Sequence, residues 1–427
     1  MKKAMLATMI IALSVMVVLS FSLFGCQQAT ETVEEAVEEA VEEAAEAVEE
    51  TAEEVAEEAE EVAEETSEDM DVVDPWILEM REGLDPYRGD IGYTGEYGAT
   101  PTWDTELVLT LAEVEQCNQG NPETGEAWKV GYVMDASAGD HTASLLKGMN
   151  DVLDHLGMEL IGTVDPQFDP AAERAGVENL LTAGADIIIG APIDATASAE
   201  SFQPVQDAGK PFVIWSNIPV GYEYEEHFVG VSSAMAQDLG LFTVDIMREG
   251  ITEPTEVAYL KFDATFWVVN LIDGMVLQDL NDDPNFEVVE ELGYGAESEA
   301  FDLMSAALNR HPDIKRVYGG WNVVAEFAAD ACAQLGRDDV KIATFGVDEP
   351  VLISIIEGGN IMGTVSDDPY HLGANLAMLC GFAAIDKQAP EFTITPAVPI
   401  TLDNIEEAWE ITQKTPLPQS VADVLNQ

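Results

Sequence analysis

From Trp128 onward, short apolar runs rich in Val and Ile alternate with amphipathic stretches, and this alternation leaves few folds open. Val130–Asp135, Met158–Val164, Asp186–Gly190, Pro211–Ser216 and Phe228–Ser232 read as strands. Helices over Thr142–Leu156, Ala171–Ala183 and Ser198–Ala208 separate the first four, and a long helix over Ala234–Glu249 follows the fifth. The cycle then restarts, with strands over Glu256–Phe262, Phe286–Leu292, Ile314–Trp321, Val340–Val347 and Ile361–Ser366. Helices over 266–281, 297–310, 322–336 and 349–358 lie between or after them, then a helix over 369–386, an extended segment over 392–401 and a last helix over 403–412. Strands that are apolar along their whole length are buried on both faces, which predicts parallel sheets covered by helices. Two such series predict an α/β chain of two doubly wound parallel-sheet lobes. Ligands of such sheets sit beyond the carboxyl ends of the strands. Two lobes with facing strand ends enclose a cleft that can close on a hinge.

The segment before the lobes predicts where they work. Met1-Lys2-Lys3 gives a basic start, Ala4 to Phe24 is almost unbroken apolar sequence, and Leu23-Phe24-Gly25-Cys26 ends it. That layout is expected of a lipoprotein signal peptide over 1–25, with Cys26 lipidated and the body held outside the cytoplasm at a membrane. Residues 26–70 are a Glu-rich linker. Val48, Val55 and Val62 are spaced as a weak heptad stripe, with Ala45, Ala52 and Ala59 each three residues ahead of one of them, so it reads equally as a helical stalk or a self-repelling tether. The whole chain carries 82 acids and 17 bases, a net charge of −65. With the linker's 20 acids and the two leader lysines set aside, residues 71–427 still carry −47. Such a surface repels nucleic acid and anionic headgroups, and it suits a high-salt habitat where charge is screened.

Residues 71–127 form an N-terminal extension rich in Trp, Tyr, Gly and Pro, expected to pack on the body, with a capping box at Thr110–Glu113 opening a helix to Cys117. The body divides into an N-lobe, 128–231 plus 368–392, and a C-lobe, 232–367 plus 393–415. The hinge crossings are placed near 232–234, 366–369 and 390–394. Cys117, Cys332 and Cys380 have no metal or redox spacing and read as buried thiols, although a Cys332–Cys380 pair is open. No nucleophile elbow, phosphate-binding glycine loop, zinc-spaced histidine pair or EF-like calcium loop is present, so neither an enzyme, a cofactor nor a metal is expected.

The order and spacing of several segments resemble the ribose/galactose-type periplasmic binding proteins, the type I substrate-binding subunits of ATP-driven sugar importers. These are Val130-Gly-Tyr-Val-Met-Asp135, Gly184-Ala-Asp-Ile-Ile-Ile-Gly-Ala-Pro192, Lys210-Pro-Phe-Val-Ile-Trp-Ser216, Asn309 to Tyr318 followed by Gly-Gly-Trp-Asn322, Phe345-Gly-Val-Asp348 and Gly363-Thr-Val-Ser-Asp-Asp-Pro369. The resemblance covers about 128–412. It implies ligand contacts from Asp135, from His141 and Thr142, from Ser216 and Asn217, from Trp321 or Asn322, from Asp348 and from Asp367. Phe266, Trp267 and Asn270 stand near a further contact position. Trp215, inside a strand, reads as core.

The departures from that family matter. Asn217 and Leu271 occupy positions where ribose binders carry arginine. The resulting acidic cleft suits a neutral polyhydroxyl ligand, whose hydroxyls donate to carboxylates, and would also accept a cation. It argues against phosphorylated or carboxylate ligands. The resemblance thus implies a monomeric, lipid-anchored body that delivers a neutral sugar or polyol to an ABC transporter permease. A nucleoside-binding lipoprotein of related fold, with a base stacked on Phe266, Trp267 or Trp321, is the main alternative. A component that presents ligand to a membrane sensor is a third.

Overall fold

The structure is a computed structural model that describes residues 72–134 and 139–427. The expected signal peptide, Cys26, the Glu-rich linker and Asp135 lie outside the described residues. Residues 73–427 form one unit built on two sheets.

The first sheet contains β1 (Pro101–Trp103), β2 (Lys129–Val133), β3 (Glu159–Val164), β4 (Ile187–Gly190), β5 (Phe212–Trp215), β6 (Gly230–Ala234) and β12 (Phe392–Thr395), in the order β1-β12-β6-β5-β4-β2-β3. Every adjacent pair is parallel. The second sheet contains β7 (Thr255–Phe262), β8 (Phe286–Tyr294), β9 (Ile314–Trp321), β10 (Lys341–Phe345), β11 (Ile361–Ser366) and β13 (Val398–Ile400), in the order β13-β11-β10-β9-β7-β8. It is parallel except for β13, which runs against β11. Central strands are buried on both faces, as their continuous apolar sequences require: Ile187, Ile188 and Ile189 of β4 are all fully enclosed.

Helices cover both sheets. On the first lobe they are α3 (Gly139–His155), α4 (Pro170–Thr182), α5 (Ala197–Ser201), α6 (Gln203–Asp207) and α12 (Pro369–Ala384). On the second they are α7 (Ala236–Arg248), α8 (Trp267–Asp282), α9 (Glu299–Arg310), α10 (Asn322–Gln334), α11 (Glu349–Glu357), α13 (Ile405–Gln413) and α14 (Gln419–Leu425). Several starts are set by aspartates that accept a hydrogen bond from the first turn: Asp169 for α4, Asp348 for α11 and Asp368 for α12. The expected helix over 198–208 is instead two short ones. Pro204 has no N–H to donate, so it sits in the first turn of α6 and not inside a longer helix.

The extension is more deeply built in than expected. Its helices are α1 (Pro75–Met80) and α2 (Leu111–Asn118), and the Thr110–Glu113 capping box is formed in both directions. Its strand β1 extends the first sheet, pairing Pro101, Thr102 and Trp103 with Phe392, Thr393 and Ile394. The last crossing between the sheets also moves. Because β12 hydrogen-bonds β6, residues 393–395 belong to the first sheet and the chain passes to the second between Thr395 and Val398, not at 392/393. The other crossings follow β6 at Ala234 and β11 at Ser366. Cys117, Cys332 and Cys380 are free and buried. Among the described residues no helix is long and apolar enough to cross a membrane.

Candidate functional site

A cavity of about 290 Å³ opens between the lobes where the strands of both sheets end. The first lobe supplies the start of α3 (Asp140, His141, Thr142), Phe168 after β3, and Trp215 and Ser216 at the end of β5. The second supplies Phe262 and Phe266 around the end of β7, and Glu297 ahead of α9. Trp321 and Asn322 come from the β9–α10 junction, Phe345 and Asp348 from the β10–α11 junction. Asp367 lies on a hinge crossing. Each polar contributor therefore sits on a loop or helix start held by a buried strand, the placement expected of a doubly wound sheet.

The polar groups are held in pairs. His141 Nε2 lies 2.8 Å from Asp367 Oδ2, so this pair bridges the start of α3 and the hinge. Asn322 Nδ2 donates to Asp348 Oδ2 at 2.6 Å, while Asp348 Oδ1 accepts from Val351 N at 3.1 Å and caps α11. Trp321 Nε1 donates to Glu297 Oε1 at 2.6 Å, which fixes the indole where it meets Phe262 and Tyr294 edge-on at 5.2 and 5.3 Å. Behind Phe262, the buried Asp273 carboxylate accepts from Phe262 N at 2.9 Å and from Tyr318 OH at 2.7 Å, tying α8 to β7 and β9. Asp367 Oδ1 is enclosed and has no hydrogen-bond partner among the described residues.

Electrostatics reinforce the picture of an acceptor-rich cleft. Asp140, Glu297, Asp348 and Asp367 line it, with no lysine or arginine among the described lining residues. Burial pushes the Asp140 carboxyl above its ordinary range, with the Glu349 and Asp348 charges adding to the effect and a hydrogen bond from Glu349 N at 3.2 Å opposing it. Just behind, burial, a hydrogen bond to Asp348 and the charges of Asp348, Asp330 and Glu297 push Glu326 up to about 8. Burial likewise raises Glu96 to about 7 and Asp273 to about 6. These acids keep a proton in the folded protein that the unfolded chain has already lost, so stability falls as pH rises from about 4.5 to about 8. The urea midpoint at constant high salt is expected to be lower at pH 8.5 than at pH 5.5, and Glu326→Gln is expected to reduce that decline. Equal declines in both proteins would show that Glu326 does not carry it.

The sequence-derived candidates divide. His141, Thr142, Ser216, Phe266, Trp321, Asn322, Asp348 and Asp367 line the cavity. Asn217, Trp267 and Asn270 do not. Asn217 is buried and serves the closed geometry: its Nδ2 donates to Pro192 O at 3.4 Å, and its Oδ1 accepts from Val268 N at 3.3 Å, joining the first lobe to the start of α8. Trp267 packs edge-on against Phe392 at 5.8 Å. Asn270 is exposed and turns back to bond Phe266 N and Phe262 O, finishing the start of α8. Asp135 lies outside the described residues. Trp215, read as core, does pack against the first-lobe core and also lines the cavity, its ring 6.0 Å from the His141 ring. Phe168, Glu297 and Asp140 were not anticipated. Asp140 had a signal, since it precedes His141 at a helix start beyond a strand, but Phe168 and Glu297 sit in loops without pattern. Among the described residues no group of three or more His, Cys, Asp or Glu side chains is arranged to hold a metal ion.

Two parallel-sheet lobes, joined by hinge crossings and closed over a cavity at their strand ends, define a cleft-binding protein. The match to known families agrees: the periplasmic binding protein domain spans residues 130–388, and the chain belongs to that family. This is a family of solute-binding proteins and not of enzymes, and membership implies work outside the cytoplasm. Solved structures of the same fold include an ABC transporter solute-binding protein from Bacillus halodurans with bound myo-inositol, 22% identical, TM-score 0.59, covering 67% of this chain and 98% of its own. Another, from Agrobacterium vitis with α-D-tagatopyranose, is 16% identical with TM-score 0.60 and covers 65% and 96%. An arabinose-binding protein from Geobacillus stearothermophilus is 18% identical with TM-score 0.58 and covers 66% and 98%.

Proposed function

We propose that this protein captures a neutral sugar or polyol between its lobes and hands it to an ABC-type importer, with Cys26 as a lipid anchor on the outer side of the membrane. The observation that carries this reading is the lining itself. Carboxylates supply acceptors, Trp321, Phe262, Phe266 and Trp215 supply flat apolar walls, and the described lining holds no lysine or arginine to bind an anion. Hydroxyl groups donate to the acceptors while the C–H face of a ring packs on the aromatics. The volume, at the lower end of ligand pockets, suits a single ring or a short polyol. The structural neighbours solved with myo-inositol and α-D-tagatopyranose, and the arabinose-binding protein, support the same class.

Closure is the working step. A ligand that touches Asp348 on one lobe and His141 on the other binds the closed form more tightly than the open one, and that difference shifts the population. A thermal-shift panel of pentoses, hexoses, polyols, nucleosides and amino acids, at high and low salt, tests the reading. Stabilisation by one sugar or polyol is expected. A shift with nucleosides alone would replace it with base stacking on the same aromatic walls.

A further inference from the structure

The N-terminal extension lies outside the residues matched by the family, and it makes contacts that a mere appendage would not. Its first anchors are in the first lobe. Ile77 and Met80 join the core that contains Val130, Leu145 and Leu376, and Trp76 stacks on His155 at 4.2 Å. Only Arg81, Glu82 and Gly83 then separate Met80 from Leu84. Leu84 is fully buried in the core of the second lobe, among residues that include Ala258, Ile405 and Trp409, and Tyr87 packs on the same cluster. The chain returns through Ala99 and β1, and ends in the first lobe at the buried Leu107 and Leu109.

On the way it touches all three hinge crossings. Tyr93 OH donates to Ala234 O at 3.5 Å, at the first. At the second, His371 on α12 is 2.7 Å from Asp368 Oδ1 through Nδ1 and 2.8 Å from Met80 O through Nε2. At the third, β1 pairs with β12, the strand that leads into the crossing. Arg81 locks the start of the link: nearly enclosed, it donates to Leu107 O at 2.8 Å and to Asn375 Oδ1 on α12 at 3.2 Å, and lies 3.6 Å from the buried Asp104. Asp104 also receives Arg88, at 2.9 Å.

We infer that residues 73–110 are a strap that crosses from lobe to lobe and back beside the hinge and limits how far the cleft can open. Met80 and Leu84 are four residue steps apart and so can be separated by at most about 14 Å, and both are held in packed cores. Residues 81–83 form a turn closed by Arg81 N to Leu78 O and Glu82 N to Glu79 O, so an opening that carries the Leu84 site away from the Met80 site first unwinds that turn and beyond its reach pulls an anchor out. Small rotations about the nearby crossings remain permitted; wide ones do not. A ligand-free state kept close to the closed geometry gives up less freedom on capture. This inference stands on the two-lobed fold and is independent of which ligand the cleft takes.

The test uses the full chain without ligand. Spin labels are placed at Asn179→Cys on α4 and Asp302→Cys on α9, both exposed, with Cys26→Ser so that the other thiols are the buried ones. Two variants release the strap: a six-residue Gly-Ser insertion between Glu82 and Gly83, and the milder Leu84→Ala. The inter-lobe distance distribution is expected to broaden and its long edge to move outward by several Å in each folded variant. Distributions superimposable on the parent in the folded variants would overturn the strap. If the insertion does not fold, Leu84→Ala decides the matter in the same way.

Discussion

Replacing Gly148 by leucine is expected to destabilise the protein by more than about 3 kcal/mol, the upper end of what overpacking costs. Gly148 of α3 and Gly373 of α12 meet where the two helices cross. A Cβ at Gly148 would lie 1.9 Å from Tyr370 O, and one at Gly373 would lie 1.9 Å from Leu145 O. Both obstacles are backbone, so no rotamer change relieves them and the helices must move apart. The damage would also reach the cleft, because α3 begins with Asp140 and His141 and α12 begins just after Asp367. Even Gly148→Ala is expected to lower the urea midpoint followed by circular dichroism. An unchanged midpoint for the leucine variant would show that the crossing is looser than the contacts describe.

Loss of the Asp348 side chain is the second large effect. Asp348→Ala is expected to weaken binding of the panel's best ligand by about 2–5 kcal/mol, the cost of removing one partner of a buried charged hydrogen bond. That is tens- to thousands-fold in Kd. The alanine variant also loses the α11 cap from Val351 N, a separate stability cost of about 0.5–2 kcal/mol. Asp348→Asn separates the two, since an amide oxygen still caps the helix but carries no charge. Calorimetric titration of both variants is expected to show weak binding in each, with thermal stability restored only in the asparagine variant. Affinity unchanged in a folded Asp348→Ala protein would remove this residue from the site.

The architecture was legible because burial on both faces leaves a simple mark: runs such as Ile187-Ile-Ile-Gly190 have no polar side to hide. Asp348, just beyond such a strand, could be placed at the cleft by the same reasoning, whereas Trp321 came only through the family resemblance. What the sequence did not disclose depends on contacts far apart in the chain. Nothing local distinguishes Asn217 as an inter-lobe clasp from a ligand contact, because the difference lies in whether Val268 N reaches it. Trp215 reads as core within a strand and packs as core, but as the last residue of β5 it also borders the cleft, which no local pattern shows. Pro101–Trp103 carries no strand pattern of its own and becomes a strand only because β12 offers it an edge.

The most direct measurement is a crystal structure of the protein grown with the sugar or polyol that stabilises it most in the panel. The account predicts one ligand molecule in the cavity between the lobes, with hydroxyls within hydrogen-bond distance of Asp348 and of the His141–Asp367 pair and an apolar face against Trp321 or Phe262. A ligand bound elsewhere on the surface, or closed lobes with nothing in the cavity, would contradict capture between the lobes.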